Sequence, residues 1–214
     1  VAVWLWLLRR TTGHDVLSVR SARGLFLLLL APHFAMPLLS AQGAMHTTYI
    51  AGATWLMRWG IFPVVLFMLG LSLRHLVRHG LNPADPLARL ARNGFAGSAA
   101  LTVLGFVLGA MIRESSTLIP AHYHASLGGV TTAFMAAAYL MVAPLRADLR
   151  RFGTSARRQL ACFGLGQSIF ALGFAIGGIY GLARKAYAGE QHVRSIGEQT
   201  GLVVMGLGGL FAAI

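Results

Sequence analysis

The chain has 214 residues, of which 56% are apolar and 11% charged, with a formal charge of +12 and 26 glycines. Water-soluble domains carry roughly 25% charged residues, so this composition excludes that class and indicates a membrane protein. The cations fall between apolar runs rather than along one solvated face, which argues against a nucleic-acid partner. The single Cys162 excludes an internal disulfide and a cysteine-based zinc site.

In chain order, apolar runs long enough to cross a bilayer, at about 20 residues each, lie near 24–41, 49–76, 94–112, 118–145 and 159–183. Partial runs occupy 1–8 and 199–214. The expectation is an all-α, polytopic transmembrane helix bundle with five full spans and a partial span at each end. Because both ends lie within apolar stretches, the chain reads as part of a longer protein, with further spans on its N-terminal side.

Basic residues alternate with the spans. The segment 9–23 carries Arg9, Arg10, Arg20 and Arg23, and 74–92 carries Arg74, Arg78, Arg89 and Arg92. The segment 146–158 carries Arg146, Arg150, Arg151, Arg157 and Arg158. These are thirteen of the eighteen cations; the other connections hold Arg58, Arg113, Arg184, Lys185 and Arg194. The positive-inside rule makes the richer side cytoplasmic. His46, His122, His124, Arg184 and Lys185 then come to one depth, in the outer third of the membrane.

His122 and His124 are the most informative of these. Two residues apart on a helix, they point about 200° away from each other, so they serve two groups on opposite faces rather than chelate one ion. Ser115, Ser116 and Thr117 are available to cap the helix start, and Pro120 suits its first turn. A histidine in a membrane span is costly without a partner, and imidazole on a rigid helix end suits the iron of a porphyrin. Hydrogen bonding to neighbouring helices is the alternative for both rings. Gly128, Gly129, Ala133, Ala136 and Ala137 leave room beside this helix, and Gly173, Gly177 and Gly181 repeat along one face of the next. Close helix packing explains the same spacing. Arg184 and Lys185 suit carboxylate groups at the outer surface, or simply flank a span.

The remaining histidines read more plainly. His33 follows Pro32 as a satisfied helix histidine. His75 and His79 have metal-capable spacing but sit beside Arg74 and Arg78, which oppose a cation, so they read as interfacial. His14 and His192 are loop residues without a visible partner set. The spans hold no Asp, Glu or Lys centrally; Glu114, Glu190 and Glu198 lie near the outer edge, which disfavours ion transport.

The stretch Ile119-Pro-Ala-His-Tyr-His-Ala-Ser-Leu-Gly-Gly-Val resembles the paired-histidine helix of subunit I in the heme-copper oxidase superfamily. The large subunit of the bacterial nitric-oxide reductases is the nearest layout. Gln42-Gly-Ala-Met-His-Thr-Thr-Tyr-Ile-Ala-Gly, with Trp55 and Trp59-Gly60, resembles the double-histidine helix of that family, and Gly177-Gly-Ile-Tyr-Gly-Leu-Ala-Arg-Lys resembles its propionate-holding turn. The resemblance covers most of the chain, residues 1–214, as one transmembrane domain forming the C-terminal half of such a bundle.

The resemblance implies a heme-binding subunit of a respiratory redox complex that passes electrons to O2 or NO. It implies one or two b-type hemes, His122 on a high-spin iron, His124 on a low-spin iron, and Arg184 with Lys185 on the propionates. His46 would take a second metal, copper or non-heme iron, but the adjacent ligand position holds Thr47, and the glutamates expected after Trp59 are absent. Implied partners are further membrane subunits or an N-terminal half, with cytochrome c or quinol as electron donor. The implied location is a bacterial inner membrane with the hemes toward the periplasm. Three readings stay open: a catalytic oxidoreductase, a heme conduit that has lost its binuclear centre, and a cofactor-free scaffold or transporter.

Overall fold

The computed structural model describes residues 1–43, 45–82, 84–185 and 192–213. Ala44 of the His46 stretch, Glu190 and the last residue of the 199–214 run lie outside the described residues. Among the described residues there are eight α-helices and no strand, with one isolated bridge between Ser116 and Ala183. Six helical segments are long and apolar enough to cross a membrane: Val19–Leu39, Thr47–His79, Ala88–Met111, Leu118–Leu145, Leu149–Ile179 and Ile196–Ala213. The protein is an all-α, polytopic integral membrane protein. The last of these segments has 18 residues, so the run expected as a partial span near 199–214 forms a sixth apolar helix.

The helices begin earlier than the apolar runs. The segments starting at Val19, Ala88 and Leu149 carry Arg20, Arg89, Arg92, Arg150, Arg151, Arg157 and Arg158 within their first three turns. Arginine is a good helix former whose long stem lets its head reach water. Hydropathy therefore marks where the hydrocarbon begins, whereas the helix continues into the headgroup layer.

The chain forms two compact units, residues 1–81 and 82–214. In the first, α1 (Ala2–Thr12) packs against α4 (Phe62–His79), and α2 (Val19–Leu39) packs against α3 (Thr47–Leu56) and α4. Gly13 ends α1 in a left-handed conformation at φ 79°, its N–H donating to the Arg9 carbonyl. Ser18 caps α2 by accepting from the Ser21 N–H. A π-helical turn, Met57–Ile61, joins α3 to α4. Pro63 just beyond it has no N–H to give the preceding turn, so the hydrogen-bond ladder changes register there. Gly60 lies in this turn against Pro32 of α2, and a Cβ there would stand 2.6 Å from the Pro32 ring.

In the second unit, α6 (Leu118–Val142) packs between α5 (Ala88–Met111) and α7 (Leu149–Ile179), and α8 (Ile196–Ala213) lies along α7. Leu108, Leu118, Ala121, Ala125, Ala171 and Ala175 form a buried cluster that joins α5, α6 and α7. Gly173 and Gly177 of α7 meet Gly201 and Met205 of α8 backbone to backbone, too close for any Cβ. Lipid gives helices no hydrophobic incentive to associate, so such close dispersion contact holds the pair together. The space beside Gly173 is thus filled by α8 and that beside Gly177 by Leu182 and Thr117, so their spacing is helix packing. Gly181 lies past the helix end at φ 96°, in a turn that requires a left-handed residue.

Candidate functional site

The helix carrying His122 and His124 is anchored at its first residue. Thr117 does not cap α6 with its side chain, as its position in sequence suggests; the hydroxyl donates to the Phe174 carbonyl of α7 at 2.9 Å. Ser116 Oγ instead accepts from the Leu118 N–H at 3.4 Å. The Thr117 N–H donates to the Leu182 carbonyl at 3.1 Å, and the Leu182 N–H donates to the Gly177 carbonyl at 2.9 Å. With the Ser116–Ala183 bridge, these bonds hold the turn after α7 against the start of α6. Ser116, Thr117 and Leu182 are buried there, each at 5% exposure or less.

This pairing brings Arg184 and Lys185 to the end of α6 that carries the histidines. Arg184 is half-buried and Lys185 exposed, with Lys185 turning the chain at φ 60°. Among the described residues neither forms an ion pair. His122 and His124 lie about 6 and 9 Å along the helix from Leu118, at 1.5 Å per residue.

The two rings face different helices. His122 Nδ1 lies 2.7 Å from the Gly105 carbonyl oxygen of α5. A carbonyl only accepts, so Nδ1 carries the proton, and the neutral ring keeps its free lone pair on Nε2. Histidines that ligate metals are oriented in this way, with one nitrogen tied to a carbonyl and the other open. Gly109 makes the approach feasible: a Cβ there would stand 2.7 Å from His122 Nδ1 and 2.9 Å from Cε1. Gly105 similarly admits Ser126, whose buried Oγ has no hydrogen-bond partner among the described residues.

His124 faces α7. Its ring stacks on Phe174 with centroids 5.4 Å apart and 9° between planes. Phe170 meets it edge-on at 4.9 Å, and Tyr123 lies tilted at 4.8 Å. No hydrogen bond engages either ring nitrogen among the described residues. The opposite-face placement expected from helix periodicity is therefore present, with α5 on one side and α7 on the other. Both rings are half-buried.

The small residues behind the histidines do not leave open room. Gly128 lies against Gln167 of α7 and Gly129 against Ser98 and Thr102 of α5. Ala133, Ala136 and Ala137 are buried. Among the described residues each ring keeps one nitrogen without a hydrogen bond, the chemistry an iron ligand needs, and Arg184 and Lys185 stand at the same helix end.

His46 belongs to the first unit and is an exposed N-cap of α3, its Nδ1 accepting from the Thr48 N–H at 3.3 Å. In the neutral ring the proton then sits on Nε2, so this rotamer offers no free lone pair. Thr47 is the first residue of that helix. Among the described residues no group of three or more His, Cys, Asp or Glu side chains is arranged to hold a metal ion. His33 bonds the Leu29 carbonyl one turn back at 3.0 Å, as a helix histidine does.

One grouping is absent from the sequence reading. His14 stacks on His79 at 4.5 Å, His79 lies 4.5 Å from His75, and His75 Nε2 bonds Thr12 Oγ1 at 2.9 Å. His14 Nδ1 in turn bonds the Thr12 carbonyl at 3.0 Å. These contacts clasp the ends of α1 and α4. His14 and His79 stack while His75 is tilted and bonded to Thr12, so the cluster is a structural clasp. Only the i, i+4 spacing of His75 and His79 signalled it.

No described protein family matches the chain. No solved structure matches it either. It is similar to an uncharacterized protein of Rickettsia prowazekii (strain Madrid E), with 28% identity over 130 residues, covering 55% of this chain and 24% of that protein. The chain thus spans about a quarter of the length of this relative.

Proposed function

We propose that this chain is a heme-binding subunit of a membrane redox complex, in which His122 and His124, on opposite faces of α6, would hold the heme iron. The observation that carries the reading is the His122–Gly105 hydrogen bond, which protonates Nδ1 and leaves Nε2 to donate to iron. The unengaged ring of His124, and the placement of Arg184 and Lys185 at the same helix end, agree with it. Heme supplies one-electron redox chemistry, and on an open coordination position it binds O2 or NO. The protein contributes ring orientation through Gly105 and Phe174, cations for the propionates, and an apolar setting that tunes the potential. Resemblance to the heme-copper oxidase superfamily points to a respiratory complex in a bacterial inner membrane, with electrons from cytochrome c or quinol.

A second reading, a conduit without a binuclear centre, is favoured by His46 and Thr47. His46 caps α3 through the nitrogen whose proton a ligating tautomer would need, and threonine is a poor copper ligand. The reduced-minus-oxidised spectrum of the purified complex, with heme and metal stoichiometry on the same sample, decides between them. Two hemes, one binding carbon monoxide, together with one non-porphyrin metal support the catalytic reading. A low-spin heme that ignores carbon monoxide supports the conduit, and a preparation with no heme overturns both.

A further inference from the structure

At the opposite end of the second unit from the histidines, α7 begins with a run of arginines. Arg150, Arg151 and Arg158 line an open concavity of about 470 Å³ together with Asp148, Thr154 and Ser155. A second concavity of about 390 Å³ adjoins it, lined by Arg146, Ala147, Asp148, Arg151, Phe152 and Ser155. The two share Asp148, Arg151 and Ser155. Among the described residues none of Arg146, Arg150, Arg151 and Arg158 forms an ion pair, and all four are exposed. Four guanidiniums beside one carboxylate leave this surface strongly positive. The carboxylate is already engaged, with Asp148 Oδ1 accepting from the Arg151 N–H at 2.9 Å. Arg146 is held over the Phe152 ring at 5.3 Å, and Arg157 donates to the Thr154 hydroxyl.

Depth selects the kind of anion. Leu160–Ile179 of α7 holds no charged residue. Its length is about 30 Å at 1.5 Å per residue, matching a bilayer's hydrocarbon core. Arg158 therefore stands at the hydrocarbon boundary, and Arg150 about 12 Å beyond it, within the headgroup layer. Exposed apolar side chains adjoin the arginines: Met141 at 70%, Leu145 at 84% and Leu149 at 36% exposure. Cations at phosphate depth beside uncovered apolar surface are what an amphiphile with an anionic head requires. A soluble phosphate would use only the first of these.

We infer that the two concavities form a binding site for an anionic phospholipid carrying two phosphates, one phosphate in each, with Arg151 between them. Guanidinium forks suit phosphate oxygens, and the exposed Ser155 hydroxyl adds a neutral donor, the Thr154 hydroxyl being engaged with the Arg150 carbonyl.

Native mass spectrometry of the full chain in detergent, titrated with defined lipids, tests this. The expected result is one diphosphatidylglycerol per chain, bound at least about tenfold more tightly than phosphatidylglycerol, with phosphatidylcholine not retained. The variant R150Q/R151Q/R158Q should weaken that binding about tenfold or more, whereas R89Q/R92Q, on exposed arginines of α5, should leave it unchanged. Equal losses in both variants would mean unspecific adsorption and overturn the site. Equal affinity for phosphatidylglycerol would overturn the two-phosphate assignment. Displacement of the lipid by an equal concentration of pyrophosphate would identify a soluble-anion site instead. Circular dichroism of each variant separates loss of binding from loss of fold, and the Lys-for-Arg triple variant should retain part of the affinity.

Discussion

His122 reaches across to the Gly105 carbonyl of α5 at 2.7 Å, and it does so through the gap left by the absent side chain of Gly109. One hydrogen bond thus sets both the direction of the ring and the nitrogen it presents.

Gly109→Ala places a methyl where the His122 ring now lies, so the ring must leave the Gly105 carbonyl. Overpacking at such a contact costs about 1–3 kcal/mol. The expected outcome is a modest loss of thermal stability with loss of the carbon-monoxide-binding heme, while a six-coordinate heme signal remains. An unchanged carbon monoxide difference spectrum in G109A, with H122A equally silent, would remove His122 from the ligand assignment.

His124 is packed like an aromatic core residue, so packing and ligation must be separated. His124→Phe preserves the ring stacked on Phe174 at 5.4 Å but removes the donor nitrogen. Stability should stay within about 1.5 kcal/mol of the parent, as for other volume-conserving exchanges. The low-spin α-band should disappear. If that band persists in H124F, the ring is there to pack and nothing more.

Arg184 and Lys185 test the same site from its rim. Positive charge near a heme favours the reduced, less positive iron. R184Q/K185Q should therefore lower the midpoint potential and the heme retained through purification, with little effect on stability, since neither cation forms an ion pair among the described residues and charges near the surface contribute about 0–1 kcal/mol. A redox titration and heme assay that match the parent would leave the pair as a membrane-interface anchor.

The clasp of the first unit is independent of any cofactor. The Thr12 hydroxyl donates to the Leu8 carbonyl at 3.0 Å while contacting His75 Nε2 at 2.9 Å. Thr12→Val leaves the buried His75 ring without that partner, a loss of about 1–3 kcal/mol. Unfolding in mixed detergent should show T12V destabilised by that amount and heme spectra unaltered. H14A should cost less, because the His14 side chain is exposed and its loss leaves no buried ring without a hydrogen-bond partner.

How far the sequence could be read depended on the range of the interactions. Helix periodicity alone put His122 and His124 on opposite faces, because two residues at 3.6 per turn always diverge so. The charge pattern located the arginine-rich ends but not the helix starts, since arginine is helical well beyond the hydrocarbon. The room expected beside Gly128 and Gly129 is filled by α7 and α5, because small residues admit a helix as readily as a cofactor. His14 and His79 could not be paired in advance, since nothing local joins the end of α1 to the end of α4.

By itself, then, the sequence determined membrane residence, the apolar spans, and the divergence of the two histidines. Hydrophobicity and helical periodicity are properties of a few adjacent residues and need no partner. Tertiary structure alone decided that His122 is tied to Gly105 and His124 to Phe174, and that the turn before Arg184 and Lys185 is bonded to the start of α6 through Thr117 and Leu182. It also decided that His46 serves as a helix cap. Each of those depends on which backbone comes within hydrogen-bonding distance, and that is fixed by close packing between helices far apart in the chain.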